Sequence, residues 1–265
     1  GNAPVNLDVI LLIDNSSSMW ADTDIEELRI TAAKFLVDYL RVNSEAVGAN
    51  YRVGVISFGE EVGDMVPLQL IRDDSVRDSI HSEDFIHTDF IGPLEVALNE
   101  LRTKSFNAGH KMAVIVFTDG RPRLTNDAMT EEELSLYFEN DLAPVLNELQ
   151  TNGVDVFVLG IGDAELDKDN WTTLIPEEHF VPITDTTDLF DKYRRILSEF
   201  VGLEISVVDI LPAGQDAHVE VEPLLERIVF SFVKSNDDIQ IAVSDPSGLL
   251  LVPSAGGTEE IKHQV

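Results

Sequence analysis

The chain has 265 residues, with 49 acidic against 18 basic side chains and a formal net charge of −31 at pH 7. A surface this negative repels nucleic-acid phosphate and anionic lipid, the longest apolar runs are far too short to cross a bilayer, and the lack of cysteine excludes disulfides and thiolate metal sites. With 44% hydrophobic and 25% charged residues the mix is otherwise that of a globular protein able to bury a substantial core.

Val9 to Ile13 is an unbroken apolar run ending at Asp14, the pattern of a strand covered on both faces. Thr23 with Glu26 three residues later reads as a capping box, followed by apolar residues at Ile25, Leu28, Ala32, Phe35, Leu36, Tyr39 and Leu40 at helical spacing. Tyr51 to Phe58 is a second strand. Met65 to Ile71 follows after too short a connection for a crossover, so it should lie antiparallel at an edge. A helix is expected over Gly92 to Lys104, and Lys111 to Thr118 is another apolar strand, ending at Asp119. A long helix from Glu131 to Gln150 contains Pro144, which should kink or split it. Strands at Val154 to Ile161 and Phe180 to Ile183 and an amphipathic helix from Asp188 to Phe200 complete the pattern.

This alternation predicts an α/β fold over residues 1–200: a doubly wound, mostly parallel sheet with one antiparallel edge strand and helices on both faces. Residues 201–265 change character. Strand-like segments at 204–211, 218–222, 227–234 and 238–244, then a turn at Asp245-Pro246-Ser247-Gly248 leading into Leu249 to Val252, suggest a small all-β, sandwich-like module, incomplete at this length. The acidity does not separate the two parts. Residues 1–200 hold 38 acidic and 15 basic residues, and residues 201–265 hold 11 and 3, so it reads as a solvated surface rather than a tail.

The chemistry gathers where strands end. In open α/β sheets, sites form beyond the carboxyl ends of strands near the topological switch point. Asp14-Asn15-Ser16-Ser17-Ser18 offers oxygens from Asp14, Ser16 and Ser18 at the end of the first strand, and Asp119 would project into the same crevice. Thr88 lies in a loop ahead of a helix and could close the ring. Each piece alone also describes an ordinary turn. Together, in this order on these elements, they make a set of hard oxygen donors suited to Mg²⁺, Mn²⁺ or Ca²⁺ and not to zinc or copper. Trp20 and Arg121 should lie close by: Trp20 in packing, Arg121 steering an incoming carboxylate or pairing with a neighbouring acid. Asp89 would add charge beside Thr88 and favour calcium. Gly160-Ile161-Gly162 lacks the third glycine of a dinucleotide-binding turn.

On these residues the segment 7–200 resembles a von Willebrand factor A-type domain with a metal-ion-dependent adhesion site. The family's Asp-x-Ser-x-Ser corresponds to Asp14, Ser16 and Ser18, its loop threonine to Thr88, and its strand-terminal Asp, typically followed by Gly, to Asp119-Gly120. The resemblance implies that hydroxyls hold Mg²⁺ directly, that an Asp acts through water, and that a free position takes a Glu or Asp from a protein partner. A strand-rich module after such a domain is similar to bacterial surface or secreted members. The expected function is therefore a non-enzymatic, divalent-metal-dependent protein-binding module, extracellular or at the cell surface, with a cytoplasmic setting left open. The alternatives are a metal-dependent hydrolase, whose general base would have to be Asp89 or His87, and an intracellular adaptor coupled to an ATPase.

Overall fold

The computed structural model describes residues 4–162 and 167–184, residues 189, 192, 193, 195 and 196, and two short segments at 242–244 and 250–253. Six strands, β1 (Leu7–Asp14), β2 (Tyr51–Phe58), β3 (Val62–Leu70), β4 (Lys111–Thr118), β5 (Val154–Ile161) and β6 (Phe180–Ile183), form one sheet in the order β3-β2-β1-β4-β5-β6. All neighbours are parallel except β2 and β3, whose three-residue link leaves no room for a crossover. All eight residues of β1 are buried, as expected for an apolar run at the centre of a sheet covered on both faces. β3 has a single buried residue, Leu68, and carries Pro67, which an edge strand tolerates because one side of its backbone needs no partner.

Side chains alternate across β1 and divide the core in two. Leu7, Val9, Leu11 and Ile13 pack with Ala33, Leu36, Val37 and Leu40 of α1 (Leu28–Val47), beside Val76 of the short α2 (Ser75–Asp78). Ile10 and Leu12 face the opposite layer, built by Leu94, Ala97 and Leu101 of α3 (Ile91–Lys104) together with the segment 131–151. That segment is split: α4 (Glu131–Leu136) runs through a π-helical turn (Tyr137–Leu142) into α5 (Ala143–Thr151). Pro144 thus falls directly after the π-helical turn, on a backbone that stays helical through Leu142 and Ala143. The short α6 (Lys168–Thr172) places Trp171 under the same face.

One expectation fails. The capping box at Thr23 and Glu26 does not form: residues Met19–Thr23 make a π-helical turn, α1 starts only at Leu28, and Ile25 is 69% exposed. The start is set by Asp24, whose carboxylate accepts hydrogen bonds from the Leu28 and Arg29 amides, while Glu27 turns left-handed at φ +56° and breaks the helical path. A capping box does form at Thr130 and Glu133, heading α4.

Of the expected helix at 188–200, residues 189, 192, 193, 195 and 196 are helical, and Tyr193 donates its hydroxyl to the Ala32 carbonyl at 2.6 Å. In the expected C-terminal module, β7 (Ala242–Ser244) and β8 (Leu250–Pro253) pair antiparallel. The strands expected at 204–211, 218–222 and 227–234 and the turn at 245–248 lie outside the described residues.

Asp24 also pairs at 2.8 Å with Arg29, whose side chain is fully buried. Asp24→Ala strands that cation, and an unfolding titration in urea should show a loss of about 3–5 kcal/mol. The double variant Asp24→Ala/Arg29→Met, which removes the charge as well, should recover part of it.

Candidate metal centre

The connections leaving β1 and β4 diverge, because β1 continues to β2 on one side while β4 lies on the other; the carboxyl ends of the two strands therefore open a crevice between them. Asp14 ends β1 directly beside Thr118, the last residue of β4. Asp14 Oδ2 accepts the Thr118 hydroxyl at 2.6 Å and Oδ1 accepts the Ser16 amide at 3.0 Å, so both oxygens are held in place. The Ser16 and Ser18 hydroxyls lie 3.2 Å apart. Asp119 joins them from β4: it is hydrogen bonded to Ser18, and the Thr23 hydroxyl lies 3.5 Å from its Oδ2.

Gly120 takes φ +90°, a conformation that favours glycine, and two bonds fix the turn. Its amide donates to Thr118 Oγ1 at 2.9 Å, and its carbonyl accepts the indole N–H of fully buried Trp171 at 2.8 Å. Edge-on contacts of Trp171 with Phe90 and Phe138 hold that indole in turn.

Thr88 is buried and arrives on a loop braced from both sides. Its backbone exchanges two hydrogen bonds with Arg123, at 2.8 and 2.9 Å, beyond Asp119. Upstream in the same loop, the Phe85 amide donates to the Asn15 carbonyl at 3.1 Å and Ser17 Oγ donates to the Ile86 carbonyl at 2.6 Å. Thr88 thus travels with a segment clamped to both other loops. Asp14, Ser16, Ser18 and Asp119 are linked directly by hydrogen bonds and electrostatics.

Among the described residues no cationic side chain pairs with either carboxylate in this crevice. Burial, and then the neighbouring Asp119 carboxylate, push Asp14 up to about 7; burial raises Asp119 as well. Arg121 gives its backbone amide to Asp119 at 3.4 Å, but its guanidinium goes to Glu131 at 3.5 Å and Asp167 at 4.0 Å. A buried and a half-buried carboxylate beside neutral hydroxyls, with no counter-ion among the described residues, fit a hard divalent cation, which would be held by Asp14, Ser16, Ser18, Thr88 and Asp119.

The flanking residues divide. Trp20 is 43% exposed and donates its indole N–H to the Phe85 carbonyl at 3.2 Å, tying the 19–23 turn to the Thr88 loop. Asp89 Oδ1 accepts the Ile91 amide at 3.1 Å and the Tyr137 hydroxyl at 2.8 Å, which commits that oxygen to the head of α3.

Sequence reading missed the supports. Asn15 accepts two bonds from Arg29, at 3.1 and 2.9 Å, and donates to Ser57 Oγ at 2.7 Å, while Thr118, Thr23 and Trp171 complete the shell. Thr118 could have been noticed as the hydroxyl preceding Asp119. The others carry no local signal, because their partners are remote in sequence.

The family model for the von Willebrand factor type A domain matches residues 8–193. No curated protein matches the sequence. Among solved structures, the chain is similar to the vWF domain of the type V pili tip protein Mfa5 from Porphyromonas gingivalis, with a TM-score of 0.56 at 15% identity, over 78% of this chain and 99% of that one. It is also similar to the open conformation of the pilus adhesin SpaC from Lactobacillus rhamnosus GG, with a TM-score of 0.52 at 17% identity, over 76% of this chain and 31% of that one. The chain thus spans about a third of the length of the SpaC adhesin. At these identities the likeness is one of fold.

The opposed carboxylates predict a pH signature. With the folded value of Asp14 at about 7 against an ordinary 3.8, the metal-free fold retains its proton longer than the unfolded chain. The resulting stability is fully present below about pH 4 and is lost as the pH rises through 7. Asp119→Asn removes the repelling charge. Thermal melts in chelator should find the variant more stable than wild type at pH 7.5 by roughly 4 °C or more. The gap should close at pH 4, and added Mg²⁺ should raise the midpoint of wild type only.

Proposed function

The chain belongs to the von Willebrand factor type A family, and from that premise we propose that it is a divalent-metal-dependent protein-binding module whose ion accepts a carboxylate from a partner. The observation that carries this reading is the pair of Asp14, fully buried, and Asp119, half-buried beside it among hydroxyls, with neither carboxylate in an ion pair among the described residues. Asp14 has both oxygens engaged by Thr118 and Ser16, which suits it to act on the ion through a water, while the hydroxyls of Ser16, Ser18 and Thr88 and the Asp119 carboxylate supply the remaining donors. Neutral hydroxyls leave the ion electron-poor. Such an ion attracts one further anionic oxygen, and the partner supplies it.

Mg²⁺ is the proposed physiological ion, with Mn²⁺ and Ca²⁺ as substitutes. The similarity of fold to domains of two pilus proteins supports a place on the cell surface and a role in adhesion. Hydrolysis draws less support, because a base would have to come from Asp89 or His87, and Asp89 Oδ1 is already bonded to Ile91 and Tyr137.

Calorimetric titration tests the site. Wild type should bind one Mg²⁺ or Mn²⁺, and Asp14→Ala and Thr88→Ala should each abolish the heat while retaining the circular dichroism of the folded sheet; unchanged affinity in both variants would sink the assignment. On an array of peptides, capture should favour Asp- or Glu-containing sequences, vanish in EDTA and return with Mg²⁺. Capture that persists in EDTA counts against the ion as the acceptor.

A further inference from the structure

A second group of ligand-type side chains converges outside this centre, at the exposed edge of the sheet. Asp64 lies on β3, and His81 and Glu83 lie on the segment between α2 and α3. One ligand atom from each falls within 4.8 Å of the other two. His81 Nε2 is 3.4 Å from Asp64 Oδ2, and His81 Nδ1 is 2.8 Å from the Ser79 carbonyl.

A carbonyl can only accept, so Nδ1 carries a proton, and in the neutral ring Nε2 is a bare lone pair aimed at a carboxylate oxygen. Two acceptors face each other. Either a second proton on the ring or a cation between them makes that contact favourable. The spacing suits the cation: an ion with tetrahedral bonds near 2.05 Å separates its ligands by about 3.3 Å. The tie from Nδ1 to a backbone carbonyl is also the outer contact that orients a metal-binding imidazole.

Glu83 is admitted by the backbone. Its Oε2 accepts the Asp64 amide at 3.2 Å, and a Cβ on Gly63 would lie 2.6 Å from that oxygen and 2.8 Å from the Phe85 ring. Glycine here lets the Glu83 carboxylate lie against the backbone without shifting aside. Asp64 and His81 also border a cavity of about 370 Å³ reaching toward Ser57, with space for water as a further ligand.

We propose that Asp64, His81 and Glu83 form a second cation site, suited to a borderline ion such as Zn²⁺. One imidazole with two carboxylates is a zinc-type donor set, unlike the all-oxygen set around Asp14. The site would staple β3 to the loop that leads to Thr88. That loop touches the first centre through the His81 carbonyl, 3.4 Å from Asn15 Nδ2, and through the Phe85 amide on the Asn15 carbonyl.

The test is a calorimetric Zn²⁺ titration of the whole chain with Mg²⁺ in millimolar excess, which keeps the outcome independent of the first centre. One Zn²⁺ should bind with a dissociation constant on the order of 10 µM, weakened about tenfold or more by His81→Ala and by Glu83→Gln, both at the surface. Thr88→Ala should leave it unchanged. The zinc-induced rise in thermal midpoint should follow the same pattern. Binding that survives in His81→Ala, binding lost only in Thr88→Ala, or no saturable binding in the micromolar range would each overturn the proposal and leave an Asp64–His81 ion pair.

Discussion

Asp14 and Asp119 are brought side by side by the pairing of β1 with β4, and their mutual repulsion, with Asp14 fully buried, is the constraint around which the carboxyl-terminal edge of the sheet is built. Two carboxylates held together, one of them fully buried, are a costly arrangement for a fold, since the hydrogen bonds they accept offset desolvation and repulsion only in part and no cation among the described residues does so. Much of the neighbouring structure keeps the two from escaping it. Thr118 and the Ser16 amide hold both oxygens of Asp14, and the Gly120 turn, pinned by Thr118 and Trp171, fixes Asp119. Under the proposed function, a site preorganised in this way would bind a cation without first rearranging.

The support extends well below the site. Asn15, next to Asp14, is gripped by the buried guanidinium of Arg29, which is neutralised by Asp24, the residue that also starts α1. One short chain of contacts therefore links the head of a core helix to the loop carrying Asp14, Ser16 and Ser18. On the other side, the indole of Trp171 reaches the same centre from the opposite layer of helices. Both halves of the core converge on the crevice.

The net charge of −31 takes on a more specific meaning in this light. Most of it lies on solvated side chains and sets only the general repulsion that an acidic partner must overcome. With Arg121 drawn to Glu131 and Asp167, the described part of the rim offers an approaching carboxylate little positive charge of the protein's own. Under the proposed function, attraction would then come from the ion, and an acidic protein of this design would depend strictly on metal to hold an acidic ligand.

The strand segments along the chain, the antiparallel edge and the strand ends bearing Asp14 and Asp119 were legible in the residues alone, because unbroken apolar runs and short connections act locally, whereas the order of the strands in the sheet came only with the fold. Pro144 announced the break before α5 for the same reason, through its missing amide. Thr23 and Glu26 misled because a capping signature is also local, and here a buried carboxylate on Asp24, matched to Arg29, outweighed it. Nothing local marks Trp171 as the brace of Gly120, Tyr137 as the partner of Asp89, or His81 as the neighbour of Asp64: these pairs are 51, 48 and 17 residues apart. By itself the sequence determined the layers and the donor types, since periodicity and side-chain chemistry belong to the chain. Which carboxylates lose their water and face one another was decided only by tertiary structure, because desolvation and repulsion arise when distant segments close the same space.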